Sequence, residues 1–344
     1  MTTQMEHEAG QAPKVVETAF NNNKDLFQEI RQRLTREKLH FAVTIARGSS
    51  DHAAYFAKYV IETQLKLITA SFSPSVETIY HAKPNMKNSL SIAISQSGKS
   101  PDLCVAMQAA RQSGSITIAF VNQTNSPLAQ IAEYVVPLYA GEEKAVAATK
   151  SYITSLTNII HFVGTLANNP ELLSALQQLP EKLNLALNLD WSEAITQLKP
   201  RRDALIVGRG YSYPIACEAA LKCKETAGLH AEAFSSAEIL HGPFALVGKD
   251  YPVLIFTQND ATLEGTLALA QKCLSIGAKP MVALPPSIAL PKDIIRLPTP
   301  EFTHPICDPV SSILSFYKMV ANLATLRGHN PDNPPHLNKV TETL

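Results

Sequence analysis

Two tandem, doubly wound α/β domains are the fold class the sequence predicts, and three observations predict it. The chain has 344 residues, a length that suits two domains with a core in each. A strand-turn-helix text occurs twice at a near-constant interval. The strands of that text are apolar throughout instead of alternating, as strands buried on both faces are.

The first repeated element is FAVTIARGSSDHAAYFAKYVIE from Phe41. It returns as DALIVGRGYSYPIACEAALKCKE from Asp203, with Arg47-Gly48 and Arg209-Gly210 separated by 162 residues. The second is SLSIAISQSGKS from Ser89, matched by YPVLIFTQNDAT from Tyr251, with Gln96 and Gln258 again 162 apart. GSITIAFV from Gly114 and GAKPMVAL from Gly277 form the third pair, and YVVPL from Tyr134 and DIIRL from Asp293 the fourth, at offsets of 163 and 159. Short runs rich in Val and Ile, each followed by text of helical period, predict parallel strands joined by crossover helices. The expected boundaries are a helical segment over 1–36, a first domain over 37–175, a second over 190–328 and a tail over 329–344. A linker is expected near NLALNLDWSEAITQLKPRR.

Composition excludes several functions. Thirty Lys plus Arg balance thirty Asp plus Glu, which leaves no basic surplus for nucleic acid. No apolar run approaches the roughly 18 residues that span a bilayer, so no membrane partner is expected. The start, MTTQMEHEAGQAPK, lacks the basic and apolar stretches of a secretory signal, and the cytoplasm is the expected compartment. The five cysteines are widely spaced, and Cys217 and Cys223 fall on different faces of a helix with no His beside them. Neither a disulfide framework nor a metal site is expected, nor any other cofactor.

In doubly wound sheets, ligands bind outside the carboxyl ends of the strands, so the strand-to-helix turns are the places to look for chemistry. The turn Ser95-Gln96-Ser97-Gly98-Lys99-Ser100-Pro101-Asp102 crowds hydroxyls at a helix start. Ser95, Ser97 and Ser100, with free backbone amides and the helix dipole, suit one phosphate group. A plain serine N-cap explains the same residues equally well. Neither Walker nor G-x-G-x-x-G spacing is present, which argues against nucleotides, and the matching turn Thr257-Gln258-Asn259-Asp260 carries an acid instead. The neighbouring turn, Ala46-Arg47-Gly48-Ser49-Ser50-Asp51, offers two more hydroxyls.

In the second repeat, Glu218, Lys222 and Glu225 stand at i, i+4 and i+7 of one helix face. Spacing alone fits a solvated face of ordinary ion pairs as well as a catalytic one. The stretch His230 to Pro243 then reads as a functional loop with two His and two Glu, where His241 before a Gly-Pro turn is placed to act as an acid or base.

Taken together, the turn with Ser49-Ser50, the SQSG loop, VAATKSY from Val146, the helix LKCKE, HAEAF…E-x-x-HGP and a tail lysine resemble the isomerase half of glucosamine-6-phosphate synthase, which is built of two sugar-isomerase (SIS) domains. The resemblance covers about residues 40 to 344. It implies that Ser95, Gln96, Ser97 and Ser100 hold a sugar phosphate, with Ser49, Ser50 and the Val146 backbone around the sugar. Glu225 would move a proton between C1 and C2 with Lys222 close by. His241 would assist ring opening and reach a neighbouring subunit's site, which implies a homodimer with shared active sites. Lys339 would form an imine with the open ketose. Without the resemblance, Lys339 reads as a solvated lysine on a frayed terminus.

Departures bear on the reaction. The synthase carries an amidotransferase domain with an amino-terminal cysteine nucleophile, whereas Thr2 follows Met1 here and only about 40 residues precede the first strand. Lys99 stands where the synthase has Glu, and Ala147-Ala148 where it has Ala-Ser. The sequence therefore resembles most closely the SIS-type glucosamine-6-phosphate deaminases. Other expectations are a deaminase or deglycase for galactosamine 6-phosphate or a fructosamine 6-phosphate and, from another class, a phosphosugar sensor. The presence of Glu225 and His241 argues against the sensor.

Overall fold

The computed structural model describes residues 2–339. It divides into two compact units, one of residues 14–143 and 150–177 with 338 and 339, the other of residues 2–13, 144–149 and 178–337.

The N-terminal unit is built on five parallel strands: β1 (Phe41–Ile45), β2 (Thr69–Ser71), β3 (Ser89–Ser95), β4 (Ile116–Val121) and β5 (Tyr134–Pro137), in the order β2-β1-β3-β4-β5. Every residue of β3 and β4 is buried, the reason these strands read as continuous apolar runs. Val43, Ile45, Ala93, Ala119 and Val121 meet Leu103, Ala106 and Met107 of the helix Pro101–Gln112. The helix Lys150–Leu166 is buried along nearly its whole length, its Ser, Thr, Asn and His side chains included, and packs on the helix Gly48–Leu65. The helix Ala12–Leu34 supplies Phe27 to the ring cluster with Phe162.

The C-terminal unit repeats the plan with β6 (Asp203–Gly208), β7 (His230–Ser235), β8 (Pro252–Phe256), β9 (Lys279–Leu284) and β10 (Ile295–Pro298), in the order β10-β9-β8-β6-β7, which is the same topology. The buried helix Asp308–Leu326 packs on the helix Ser212–Ala227 and on the short helix Gln4–Gly10. In both sheets the order turns back at one point, between β1 and β3 and between β6 and β8, and the crevice there is where such folds bind ligands. No helix among the described residues is long and apolar enough to cross a membrane.

The four repeated strand pairs are present, and each sheet has a fifth strand. β2 is a three-residue edge strand with two exposed residues, and β7 is an edge strand whose His230 and Glu232 are exposed. The first half of the stretch read as a loop from His230 is therefore paired along β6 from Asp203↔His230 to Gly208↔Ser235. The expected linker is also ordered, as the helices Leu179–Ala186 and Ser192–Leu198. Leu179, Leu183 and Ala186 bury one face of the former, and the buried Trp191 ring donates its Nε1–H to the Pro298 carbonyl at 2.9 Å.

Candidate active site

Within the N-terminal unit, the paired strands β1 and β3 bring Ser49 and Ser50 to the same sheet edge as the loop from Ser95 to Ser100. The loop is held by its own backbone and neighbours. Ser95 Oγ, buried, accepts the Gly98 amide at 3.0 Å, Ser97 Oγ accepts the Lys99 amide at 3.3 Å, and the Gly98 carbonyl accepts the Leu128 amide at 3.1 Å. Gly98 has a φ of +62°, and a Cβ there would lie 2.1 Å from Ser126 Oγ and 2.7 Å from Ser126 Cβ, so both conformation and space require glycine. Ser100 occupies the N-cap position of the helix Pro101–Gln112, yet its side chain makes no capping bond. The plain N-cap reading therefore does not account for its hydroxyl.

The first turn of that helix also carries Asp102, whose side chain is fully buried. It accepts the Leu103 amide at 2.8 Å and Arg47 Nε at 2.9 Å, tying the turn after β1 to the helix after β3. The tail lysine is seated in the same unit. Lys339 Nζ lies 3.1 Å from Oε2 of Glu143, a buried carboxylate that also accepts the Ser151 hydroxyl at 2.6 Å and the Ser151 amide at 3.2 Å.

Within the C-terminal unit, the three-charge face of the helix Ser212–Ala227 is not solvated. Glu218 and Lys222 are buried, and Lys222 Nζ lies 2.5 Å from Glu225 Oε2 and 3.4 Å from Glu218 Oε1. Burial works against the Lys222 ammonium, but the carboxylates of Glu218 and Glu225 outweigh it and raise its pKa above the ordinary lysine value. The Glu225 side chain keeps 21% of its surface exposed, so one member of the group faces outward. His241 ends a short 3₁₀ helix, Glu238–His241, on an exposed segment after β7, and Gly242 follows with a φ of +137°. Among the described residues His241 makes no hydrogen bond or ion pair with Glu225.

Val146 sits in a loop clamped from both ends of the chain. Its amide donates to the Asp332 carbonyl at 3.3 Å, and the buried Glu8 carboxylate accepts the Lys144 and Ala145 amides at 2.6 and 3.3 Å. Asp332 in turn accepts the Gln4 and Met5 amides at 2.8 and 2.7 Å.

The crevice between β6 and β8 differs from its counterpart. The buried Gln258 fills it, with Oε1 accepting the Ser212 amide at 3.2 Å and the Ser212 hydroxyl, and Nε2 donating to the Arg209 carbonyl at 2.9 Å and Thr262 Oγ1 at 2.8 Å. Beside it, Asp308 accepts the Asn259 amide at 2.8 Å, and burial, aided by Asp260 and Glu301, pushes its carboxyl pKa up to about 7 although that bond pulls it down.

The sequence pattern singled out Glu218 only as one of three spaced charges. It carried no signal for Glu143, Asp102, Glu8 or Asp332 as partners of the candidate site residues. The described residues contain no group of three or more His, Cys, Asp or Glu that could hold a metal ion.

The SIS domain family matches residues 37–163 and again 197–323. The chain is 32% identical over 347 residues to the glutamine–fructose-6-phosphate aminotransferase (isomerizing) of Pyrococcus horikoshii, an alignment that takes in 95% of this chain and 55% of that enzyme. It spans about half the length of the curated relatives it matches. A crystal structure from Silicibacter pomeroyi, provisionally assigned as a phosphosugar isomerase, superposes with a TM-score of 0.90 at 36% identity, covering 96% of this chain and all 100% of that one. The C-terminal domain of glucosamine-fructose-6-phosphate aminotransferase from Francisella tularensis superposes with a TM-score of 0.85 at 25% identity, over 97% and 99% of the two chains. With one copy of the domain matched on each five-stranded sheet, the chain belongs to the SIS domain family.

Proposed function

We propose that the chain is a phosphosugar isomerase of the deaminating kind, which converts glucosamine 6-phosphate and water to fructose 6-phosphate and ammonia. The observation that carries the reading is the buried Lys222 held 2.5 Å from a Glu225 carboxylate that keeps an exposed edge. Moving a proton between adjacent sugar carbons needs a base, and a fixed cation offsets the negative charge that develops on the enediol oxygen. Glu225 takes the C2 proton of the open amino-aldose and returns it to C1, leaving an imine at C2. His241 assists ring opening. Lys339 adds to the C2 imine, expels ammonia and forms an imine of its own, which water hydrolyses to the ketose. Water is the one co-reactant the residues need.

The phosphate is assigned to Ser95, Gln96, Ser97 and Ser100, with Ser49, Ser50 and the Val146 backbone about the sugar. Support comes from the uncapped Ser100 hydroxyl and from the place of the loop at the carboxyl end of β3, where the strand order turns back. The names of two similar proteins, a glutamine–fructose-6-phosphate aminotransferase and a glucosamine-fructose-6-phosphate aminotransferase, support the choice of fructose 6-phosphate and its amino sugar. By resemblance to that family the protein acts as a homodimer in the cytoplasm.

The test is to supply glucosamine 6-phosphate without glutamine and measure both products. Equal amounts of ammonia and fructose 6-phosphate are expected. Ammonia from galactosamine 6-phosphate alone would change the epimer and keep the chemistry. Isomerisation of a non-amino phosphosugar would make the protein a simple aldose-ketose isomerase, and tight binding with no turnover would make it a sensor.

A further inference from the structure

We propose that Glu218 is a positioning residue that shares the Lys222 charge, so that Glu225 keeps enough proton affinity to act as a base, and that Tyr317 seats Glu218 for this task. The inference rests on Glu225 being the base.

The geometry is that of a shared cation. Lys222 Nζ lies between Glu225 Oε2 at 2.5 Å and Glu218 Oε1 at 3.4 Å, and the Tyr317 hydroxyl donates to the same Glu218 Oε1 at 3.1 Å. Glu218 and Tyr317 are 0% exposed and Lys222 is 1% exposed, so these charges interact with little screening. A lone ammonium at 2.5 Å would hold the Glu225 carboxylate in its ionised form and make it a weak base. With Glu218 drawing on the same ammonium, that hold is divided. The arrangement also meets a need of the reaction cycle: once Glu225 has taken the sugar proton it is neutral, and a buried ammonium left without a counter-ion is costly. Glu218 remains as the counter-ion at that moment.

The other charged groups on the packed elements are engaged elsewhere or exposed. On the same helix, Lys224 Nζ donates to the Ala231 carbonyl at 2.9 Å. On the strands against it, Asp203 of β6 and His230 and Glu232 of β7 are exposed, and β8 carries no charge. On the helix Asp308–Leu326, Lys318 Nζ donates to the Leu187 carbonyl at 2.8 Å and Asp308 holds the Asn259 amide.

The experiment is the pH dependence of ammonia release, kcat and kcat/KM, for the wild type, Glu218→Gln, Tyr317→Phe and Glu225→Gln. In Glu218→Gln the ammonium acts on Glu225 undivided, so the acid limb should move down by about one pH unit and the plateau kcat should fall by about tenfold. In Tyr317→Phe, Glu218 loses a donor and leans harder on Lys222, so the limb should move up. Opposite shifts are a signature that loss of packing would not give. If Glu225→Gln is inactive and both other variants keep the wild-type limb, the proposal is overturned. If Glu225→Gln retains wild-type activity, the base is elsewhere and the proposal falls with that reading. Should Glu218→Gln fail to fold, the direction of the Tyr317→Phe shift decides alone.

Discussion

Lys339 Nζ lies 3.1 Å from the buried Glu143 carboxylate, an ion pair that closes 196 residues of sequence. The contact means that the tail lysine is seated, not free to wander in solvent, although its side chain is still 25% exposed. We expect Lys339→Met, and removal of the last eight residues, to reduce turnover by at least about a hundredfold while the melting temperature stays within a few degrees, because a terminal tail holds little core. Full activity in either variant would return Lys339 to the status of a surface lysine. Borohydride trapping of the sugar on Lys339, read by mass, is the accompanying check.

The loop from Ser95 to Ser100 makes two separable predictions. Ser97→Ala should raise KM for the phosphosugar by roughly ten- to a hundredfold with the fold unchanged, the worth of one hydrogen bond to a charged group. Gly98→Ala should instead destabilise the unit by about 1 to 3 kcal/mol, because its Cβ meets Ser126 Cβ at 2.7 Å in a left-handed conformation. Equal KM for Ser97→Ala and wild type would move the phosphate to another place.

His161 gives a pH prediction. It stacks on Phe20 at 4.5 Å and meets Phe27 edge-on at 4.8 Å, and its Nδ1 has no hydrogen-bond partner. Burial, with a smaller push from Lys24, lowers its pKa to about 4. The unfolded chain therefore binds a proton that the folded one refuses. Stability from this group is intact above the ordinary value near 6.5 and is lost as pH falls from there to about 4, by on the order of 3 kcal/mol. His161→Phe should flatten that part of the curve of melting temperature against pH. An unchanged slope would assign the acid sensitivity to other groups.

Much of the fold was legible because the four repeated strand pairs are short, largely apolar runs at a near-constant interval. The edge strands β2 and β7 were not. β2 has three residues, and β7, HAEAFS, alternates exposed His230 and Glu232 with buried neighbours, so it lacks the continuous run that marks a central strand. The helices Leu179–Ala186 and Ser192–Leu198 stand where the sequence was read only as a boundary and a linker between the two repeats. At the site, residues grouped in one turn or one helix were visible from spacing. The supports were not: Glu8 and Lys144 are 136 positions apart, Glu143 and Lys339 are 196 apart, and no local pattern records such pairs. Burial of Glu218 and Lys222 was likewise invisible, because i, i+4 spacing is the same on a solvated face and on a core one.

We propose that Glu225 carries the proton in a deamination. The most direct test of this is the initial rate of ammonia release from glucosamine 6-phosphate by the wild type and by Glu225→Gln, at matched substrate saturation and without glutamine. The expected result is steady release by the wild type and a loss of at least about a hundredfold in the variant, with substrate binding retained, as removal of a positioned general base gives. Release at the wild-type rate by Glu225→Gln, or no release by a wild type that binds the sugar, would contradict it.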